Sequence, residues 1–264
     1  AASFGRTIRR LDDLAVVAYD RRGYGHSNRS GPPATLDRHI TDLLDLLDGL
    51  PRPDQPVTAV GHSLGGDVVI GAAIAEPRRF SSVGAFEPPM PWLGFRRPAS
   101  PHRAGPPPAD RRPTGPWPPP DLDPAQEAER FFRRMVGDAA WEHLPEATRA
   151  ARRSEGPALV ADLAGMRGPP PFDVETLAVP ALIGRGGPGS EPHHRQTAAW
   201  LASHLAGGEL FDVDAARHGA HLSHPDAFAA FVRRAVALAG HGAPVGPDAM
   251  AAATTDPAEE VQAR

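Results

Sequence analysis

The chain has 264 residues, 41% of them hydrophobic, which predicts one folded domain with a substantial core and excludes global disorder. Its 32 acidic and 28 basic residues leave a net charge of −4, a balance that argues against a nucleic-acid-binding protein. We find no apolar run as long as a transmembrane helix and no recognisable secretory signal, and we predict no membrane partner. Cysteine is absent, which excludes disulfides and cysteine nucleophiles and favours a cytoplasmic location.

The first part of the chain alternates helical and strand patterns. Apolar residues at helical spacing predict a helix within residues 4–14, and the short apolar run at 15–19 predicts a strand buried on both faces. A second helix is predicted over residues 35–50, with Thr35 as its N-cap. The pattern then predicts a strand at 57–60, a helix at 64–76 and a strand at 81–86.

The alternation stops between residues 88 and 120, where 13 of 33 residues are proline and neither a helix nor a central strand can persist. Residues 124–167 are helical in pattern. Alternation then resumes with a strand at 179–184, a helix at 192–205, a strand at 209–213 and a helix at 225–239. The order predicts an α/β fold, a mostly parallel sheet flanked by helices. Its core comprises residues 1–87 and 173–240, with a lid or cap inserted at 88–172 and a disordered tail at 241–264.

The strongest local signal is the sequence GHSLGG at residues 61–66, between a predicted strand and a predicted helix. This context is typical of a nucleophile elbow, in which a sharp turn exposes the serine hydroxyl. We therefore predict Ser63 as the nucleophile, with Gly61 and Gly65 leaving room for the turn. The N–H of Leu64 is the predicted donor to a developing oxyanion.

Three motifs together resemble those of the α/β-hydrolase superfamily: DRRGYGHS at 20–27, GHSLGG at 61–66 and RHGAHLSHP at 217–225. They occur in the family's order, and the resemblance covers residues 4–240 apart from the lid. It implies the α/β-hydrolase fold, in the lid-bearing branch that acts on small molecules, and a triad of serine, histidine and an acid.

The resemblance implies that His218, seven residues before Pro225, is the catalytic base, although Arg217 stands where the family usually has glycine. His221 and His224 lie in the same segment and open the alternative of a zinc site with His218. The segment is not predicted to be helical, so we favour the triad base and predict no metal and no cofactor.

Three further histidines receive structural interpretations. His62 stands beside the nucleophile, where the family commonly has histidine, and we expect it to position its neighbours. His193 and His194 precede a predicted helix, and we interpret them as exposed polar residues.

The acid of the triad has two candidates. Most family members carry it after the strand equivalent to 179–184, where Glu191 is the nearest carboxylate. Some carry it after the preceding strand, where this chain has Glu87. Because parallel sheets place functional groups at the carboxyl ends of their strands, we predict Glu87 and keep Glu191 as the alternative. A role for Glu87 as a strand-end cap stays open.

The family's second oxyanion donor lies in a loop that usually begins with His-Gly, and no such motif precedes residues 4–14. The family's first three strands therefore have no counterpart here, and the chain begins at Ala1 rather than Met. The glycine-rich run at 186–190 is interpreted as an ordinary turn. We expect either a longer natural enzyme or a truncated product with impaired activity.

These observations predict a serine hydrolase of small-molecule esters or related acyl bonds, with an acyl substrate as its partner. The alternatives are a non-catalytic protein of the same fold and a zinc-dependent hydrolase. The lid predicts no particular substrate, since its aromatic residues suit an apolar pocket or lid packing equally: Trp92, Phe95, Trp117, Phe131 and Phe132.

Overall fold

The computed structural model describes residues 1–29, 31, 34–93, 118–119 and 121–240. Its described residues form one sheet of four parallel strands in the order β1-β2-β3-β4. The strands are β1 (Val57–His62), β2 (Phe80–Phe86), β3 (Ala181–Gly186) and β4 (Gly208–Val213).

Helices connect and cover these strands. They are α1 (Gly5–Ile8), α2 (Leu36–Asp48), α3 (Leu64–Ala75), α4 (Pro124–Val136), α5 (Asp138–Glu142), α6 (Glu146–Ser154), α7 (Gly156–Gly165), α8 (Pro192–His204), α9 (Ala220–Ser223) and α10 (Pro225–Leu238). Helix α2 begins after Thr35, whose side-chain oxygen accepts a hydrogen bond from the Arg38 N–H, as predicted for an N-cap.

The sheet has a hydrophobic core on each face. Successive side chains of a strand point to opposite faces, so Ala85 joins the core under α2, α3 and α8, whereas Phe86 joins the core under α10. Both residues are fully buried. The sheet is thus covered by helices on both sides, as the alternating sequence pattern predicts.

Most predicted elements form within two residues of their expected bounds, including the helix that begins at Pro225. The predicted helix within 4–14 is shorter, because α1 ends at Ile8. Residues 94–117 of the predicted lid and the predicted tail at 241–264 lie outside the described residues. Within the described ranges, no helix is both long enough and apolar enough to cross a membrane.

The prediction of a buried strand at residues 15–19 is wrong. This segment has no regular secondary structure, and Val16 and Val17 are 40% and 64% exposed. In the described part of the chain, β1 pairs only with β2, and no strand lies beside 15–19 to share ladder hydrogen bonds with it. An apolar run becomes a buried strand only where neighbouring strands and helices cover it.

Helices α4 to α7 are inserted between β2 and β3 and are joined to the core by a buried polar cluster. Its centre is Asp162 on α7, which accepts hydrogen bonds from Arg21 (3.1 Å), from the Tyr24 hydroxyl (2.6 Å) and from His39 Nε2 (2.9 Å). Burial opposes ionisation of Asp162, but these donors keep the pKa of its carboxyl below the ordinary value. One carboxylate therefore links the insertion to the loop at 20–27 and to α2.

We expect Asp162→Ala to lower the free energy of unfolding by about 3 kcal/mol, because it leaves buried donors without an acceptor. Urea denaturation measures the change. The matched control is Asp138→Ala. Its side chain is 81% exposed and pairs with Arg133, and losing this solvent-screened ion pair should change the free energy of unfolding far less than Asp162→Ala does. Equal losses in the two variants would show that the Asp162 cluster does not hold the insertion to the core.

Candidate active site

The loop between β1 and α3 is a sharp turn centred on Ser63. Its backbone angles are φ 54° and ψ −132°, a conformation that non-glycine residues rarely adopt. The Ser63 N–H donates to the Phe86 carbonyl at 2.9 Å, which ties the turn to the end of β2. Leu64 is the first residue of α3, so its N–H has no acceptor within the helix. The geometry is that of the predicted nucleophile elbow.

The two glycines predicted to make room for this turn differ in role. A Cβ on Gly61 would lie 2.0 Å from the Gly65 carbonyl oxygen, so only glycine fits there. A Cβ on Gly65 would meet nothing within 4 Å, and the prediction of a steric need at Gly65 is wrong. At Gly66 the space is tight, because a Cβ would lie 3.1 Å from Pro88.

Glu87 and His218 meet at the carboxyl ends of the strands. Glu87 follows β2 and is fully buried, and its Oε2 lies 2.7 Å from His218 Nδ1. The carboxylate can only accept, so Nδ1 carries a proton, and in the neutral form of the ring the lone pair is on Nε2. Burial opposes ionisation of Glu87, yet its hydrogen bonds from His218 and the Gly186 N–H keep its pKa below the ordinary value.

Gly186 is a contributor to the site that sequence reasoning missed. It is the last residue of β3, and its N–H donates to Glu87 Oε1 at 2.7 Å. A Cβ there would lie 2.4 Å from Ser190 Oγ and 3.2 Å from Glu87 Oε1. The run at 186–190 is therefore more than the ordinary turn predicted. In the sequence, the only indication of this role is a glycine at the end of a predicted strand. The tertiary structure is needed to show that the Gly186 N–H faces Glu87.

His62 holds the two halves of the site together. Its Nε2 lies 2.5 Å from the His218 carbonyl oxygen, so Nε2 carries a proton and donates it. Burial, followed by the nearby His221 and His218, keeps the pKa of His62 well below its usual value, and the ring stays neutral. Because Ser63 is the next residue, this bond brings the His218 segment beside the turn. His62 has the positioning contact that the sequence predicts.

Among the described residues, Ser63 and His218 share no hydrogen bond. The structure thus contains the acid–histidine pair and the serine turn, joined through His62. Hydrogen bonds between a nucleophile and its base are commonly long or misaligned when no substrate is bound.

The other residues that the sequence offers as candidates for the site do not contact Glu87 and His218 as a triad acid or a metal site would. Glu191 is exposed at the start of α8, whereas Glu87 bonds the histidine. The segment predicted to lack helix contains the short α9, and no group of three potential ligands within the described ranges is arranged to hold a metal. His193 is exposed as predicted, but the same prediction for His194 is wrong, because α8 turns His194 inward.

The predicted lid aromatics pack against other rings where the structure describes them. Trp92 meets Phe172 edge-on at 5.9 Å, and Phe132 stacks on the buried Trp141 at 6.1 Å. Phe131 meets Phe132 at 5.8 Å, and Phe95 and Trp117 lie outside the described residues. These contacts are packing between aromatic rings, which agrees with one of the two interpretations that the sequence leaves open.

Comparison with known proteins gives a family and a fold. A sequence model of the alpha/beta hydrolase family matches residues 2–231. The chain is similar in fold to the enol-lactonase from Burkholderia xenovorans LB400, with a TM-score of 0.63, 18% sequence identity, and coverage of 89% of this chain and 86% of that one.

Curated relatives match over shorter stretches. Lipase LipV of Mycobacterium tuberculosis is 33% identical over 91 residues, which are 34% of this chain and 34% of that protein. The 3-oxoadipate enol-lactonase 2 of Acinetobacter baylyi is 39% identical over 72 residues, 27% of this chain and 26% of that protein. The matches thus span about a third or less of these relatives.

Stability should fall as the pH drops, because buried histidines in this site stay neutral. Burial, and then the nearby His218, lowers the pKa of His221 to about 4 from the usual 6.5. Between these values the unfolded chain binds a proton that the folded chain does not, so stability is full above about pH 6.5 and is lost toward pH 4. His221→Phe should therefore gain about 2 kcal/mol relative to wild type between pH 7 and pH 5.

Urea denaturation of both proteins at the two pH values measures this difference. The exposed His204, replaced by Phe, is the control and should show no such relative gain. A pH-independent difference between His221→Phe and wild type would contradict the expectation.

Proposed function

Because the chain belongs to the alpha/beta hydrolase family, we propose that it is a serine hydrolase that cleaves a carboxylic ester or related acyl bond of a small molecule. The observation that carries the proposal is the 2.7 Å hydrogen bond between Glu87 and His218, formed beside the strained turn at Ser63. The names of the matching relatives, a lipase and an enol-lactonase, support esters and lactones as the substrate class.

In the first half of the proposed reaction, Ser63 Oγ attacks the acyl carbon while His218 Nε2 takes the hydroxyl proton. Glu87 stabilises the imidazolium that forms and keeps Nδ1 as the bonded nitrogen. The carbonyl oxygen becomes an oxyanion, and the N–H of Leu64 donates to it. Collapse of this intermediate breaks the bond to the leaving alkoxide, which receives the proton from Nε2, and leaves an acyl group on Ser63.

Water completes the cycle. His218 Nε2 takes a proton from the water as its oxygen attacks the acyl carbon, and a second oxyanion forms beside Leu64. Breakdown releases the acid, and the proton returns to Ser63 Oγ. No step requires a cofactor. The cytoplasmic location stays a prediction, based on the lack of cysteine.

Two features favour a second candidate, a non-catalytic protein of this fold. Within the described residues Ser63 and His218 are not hydrogen-bonded, and the proposed reaction has a single oxyanion donor, the N–H of Leu64. Losing one such donor typically slows an enzyme by about 10²–10³-fold. The two candidates differ in whether Ser63 is activated, which can be measured directly.

A fluorophosphonate should label the folded chain at Ser63, because only a serine activated by a neighbouring base reacts readily with it. Peptide mass spectrometry locates the label. Ser63→Ala should lose the label completely, whereas Ser190→Ala, which removes the hydroxyl of a buried serine near Glu87, should keep Ser63 labelled. A folded wild-type chain that does not label would support the non-catalytic candidate.

Replacing the acid should separate its two candidates. Glu87→Gln keeps the shape and an acceptor for the Gly186 N–H, but its amide favours the wrong His218 tautomer, and we expect labelling about 10²–10⁴-fold slower. Glu191→Gln, the matched control, should leave the labelling rate unchanged. The proposed role of Glu87 fails if both variants label at the wild-type rate, or if Glu191→Gln is the slow one.

A further inference from the structure

Five imidazole rings lie in succession through the candidate site. His193 contacts His194 at 4.0 Å between ring centroids, His194 contacts His218 at 4.3 Å, His218 contacts His62 at 4.6 Å, and His62 contacts His221 at 4.3 Å. Roles have been given above to His218 and His62. The ring of His194, which the proposed reaction does not use, makes the flattest contact with His218, at an interplanar angle of 15°.

Helix α8 places this ring. The helix begins with Pro192, whose fixed φ suits a first turn, and it packs against β3 and β4. Two residues later, His194 is only 6% exposed, while its neighbour His193 faces solvent. The buried Nδ1 of His194 has no hydrogen-bond partner among the described residues. The 15° angle between the two rings shows that His194 contacts His218 through the flat face of its ring.

The groups around His218 come from several elements. Glu87 after β2 is bonded to its Nδ1, His62 ends β1, His193 and His194 are in α8, and His221 is in α9. Burial, and then the nearby His218, lowers the pKa of His194 to about 3. His194 thus presents an uncharged aromatic face to His218 at neutral pH. Such a face packs favourably against an imidazolium as well as against a neutral ring.

We propose that His194 is a positioning residue whose ring, stacked on His218, fixes the plane of that imidazole. This inference rests on the proposed function, in which His218 is the base. The bond to Glu87 holds one ring atom, and by itself it leaves the ring free to tilt about that contact. The nearly parallel ring of His194, whose centroid lies 4.3 Å from that of His218, prevents this tilt. The Nε2 atom of His218 can then point in only one direction. Misplacement of a reacting group by about 1 Å can slow a reaction about 10²-fold.

The test compares His194→Leu, which is apolar but not flat, with His194→Phe, which keeps a flat uncharged ring. We expect labelling of Ser63 to slow about tenfold in His194→Leu and to stay within about threefold of wild type in His194→Phe. The loss should be in the rate of the chemical step rather than in the affinity for the fluorophosphonate. If His194→Leu does not fold, as judged by circular dichroism, His194→Gln takes its place as the ringless variant.

A second measurement does not depend on catalysis. The proton on His218 Nδ1, held by Glu87, should give a far-downfield signal in the proton NMR spectrum of the folded wild-type chain. We expect this signal to broaden or disappear in His194→Leu, as the freed ring exchanges its proton with water, and to persist in His194→Phe.

His204→Leu is the matched control. His204 lies on the same helix and stacks on Trp200 at 4.3 Å and 18°, away from the triad candidates, so its loss should change neither readout. Wild-type behaviour of the ringless variant in both measurements would overturn the inference, and so would equal losses in His194→Leu and His194→Phe. If wild type does not label but the NMR pattern holds, the proposed function fails while the positioning role stands.

Discussion

Glu87 is fully buried at the carboxyl end of β2, so both oxygens of its carboxylate must find hydrogen-bond donors inside the protein. One donor is His218 Nδ1, from the segment after β4, and the other is the N–H of Gly186 at the end of β3. A single buried charge thus ties together the ends of three parallel strands. Loss of either donor would leave part of that charge unpaired, which makes this contact the one on which the site depends.

The same strand ends hold two strained residues. Ser63 and Glu87 both have positive φ, which for non-glycine residues is costly and persists only where the surroundings impose it. Here hydrogen bonds to the adjacent strand hold both residues in these conformations. The Ser63 N–H donates to the Phe86 carbonyl, and the Glu87 N–H donates to the Gly184 carbonyl. Each turn is fixed by the neighbouring strand. The sheet therefore supplies the rigidity that presents the serine and the carboxylate to one region.

Sequence reasoning performed well where the determining forces are local. The glycine-rich motif and the strand and helix patterns on either side of it predict the turn at Ser63. The position of Thr35 before an amphipathic run predicts the N-cap.

The choice of Glu87 over Glu191 followed from the rule that parallel sheets carry functional groups at the carboxyl ends of their strands, and in the structure Glu87 bonds His218. The prediction of a strand at residues 15–19 was wrong. Their apolar pattern is that of a strand, but no strand in the described part of the chain lies beside them.

By itself, the sequence determined the α/β alternation, the serine turn and the candidate histidine, because periodicity, glycine placement and short motifs act within a few residues. Only the tertiary structure decided which carboxylate bonds His218, that Gly186 completes the shell of that carboxylate, and that His194 is buried against the histidine rather than exposed. Those contacts join residues about 20 to 130 positions apart. They depend on strand order and on which segments the tertiary fold packs against one another, which no pattern within a few residues encodes.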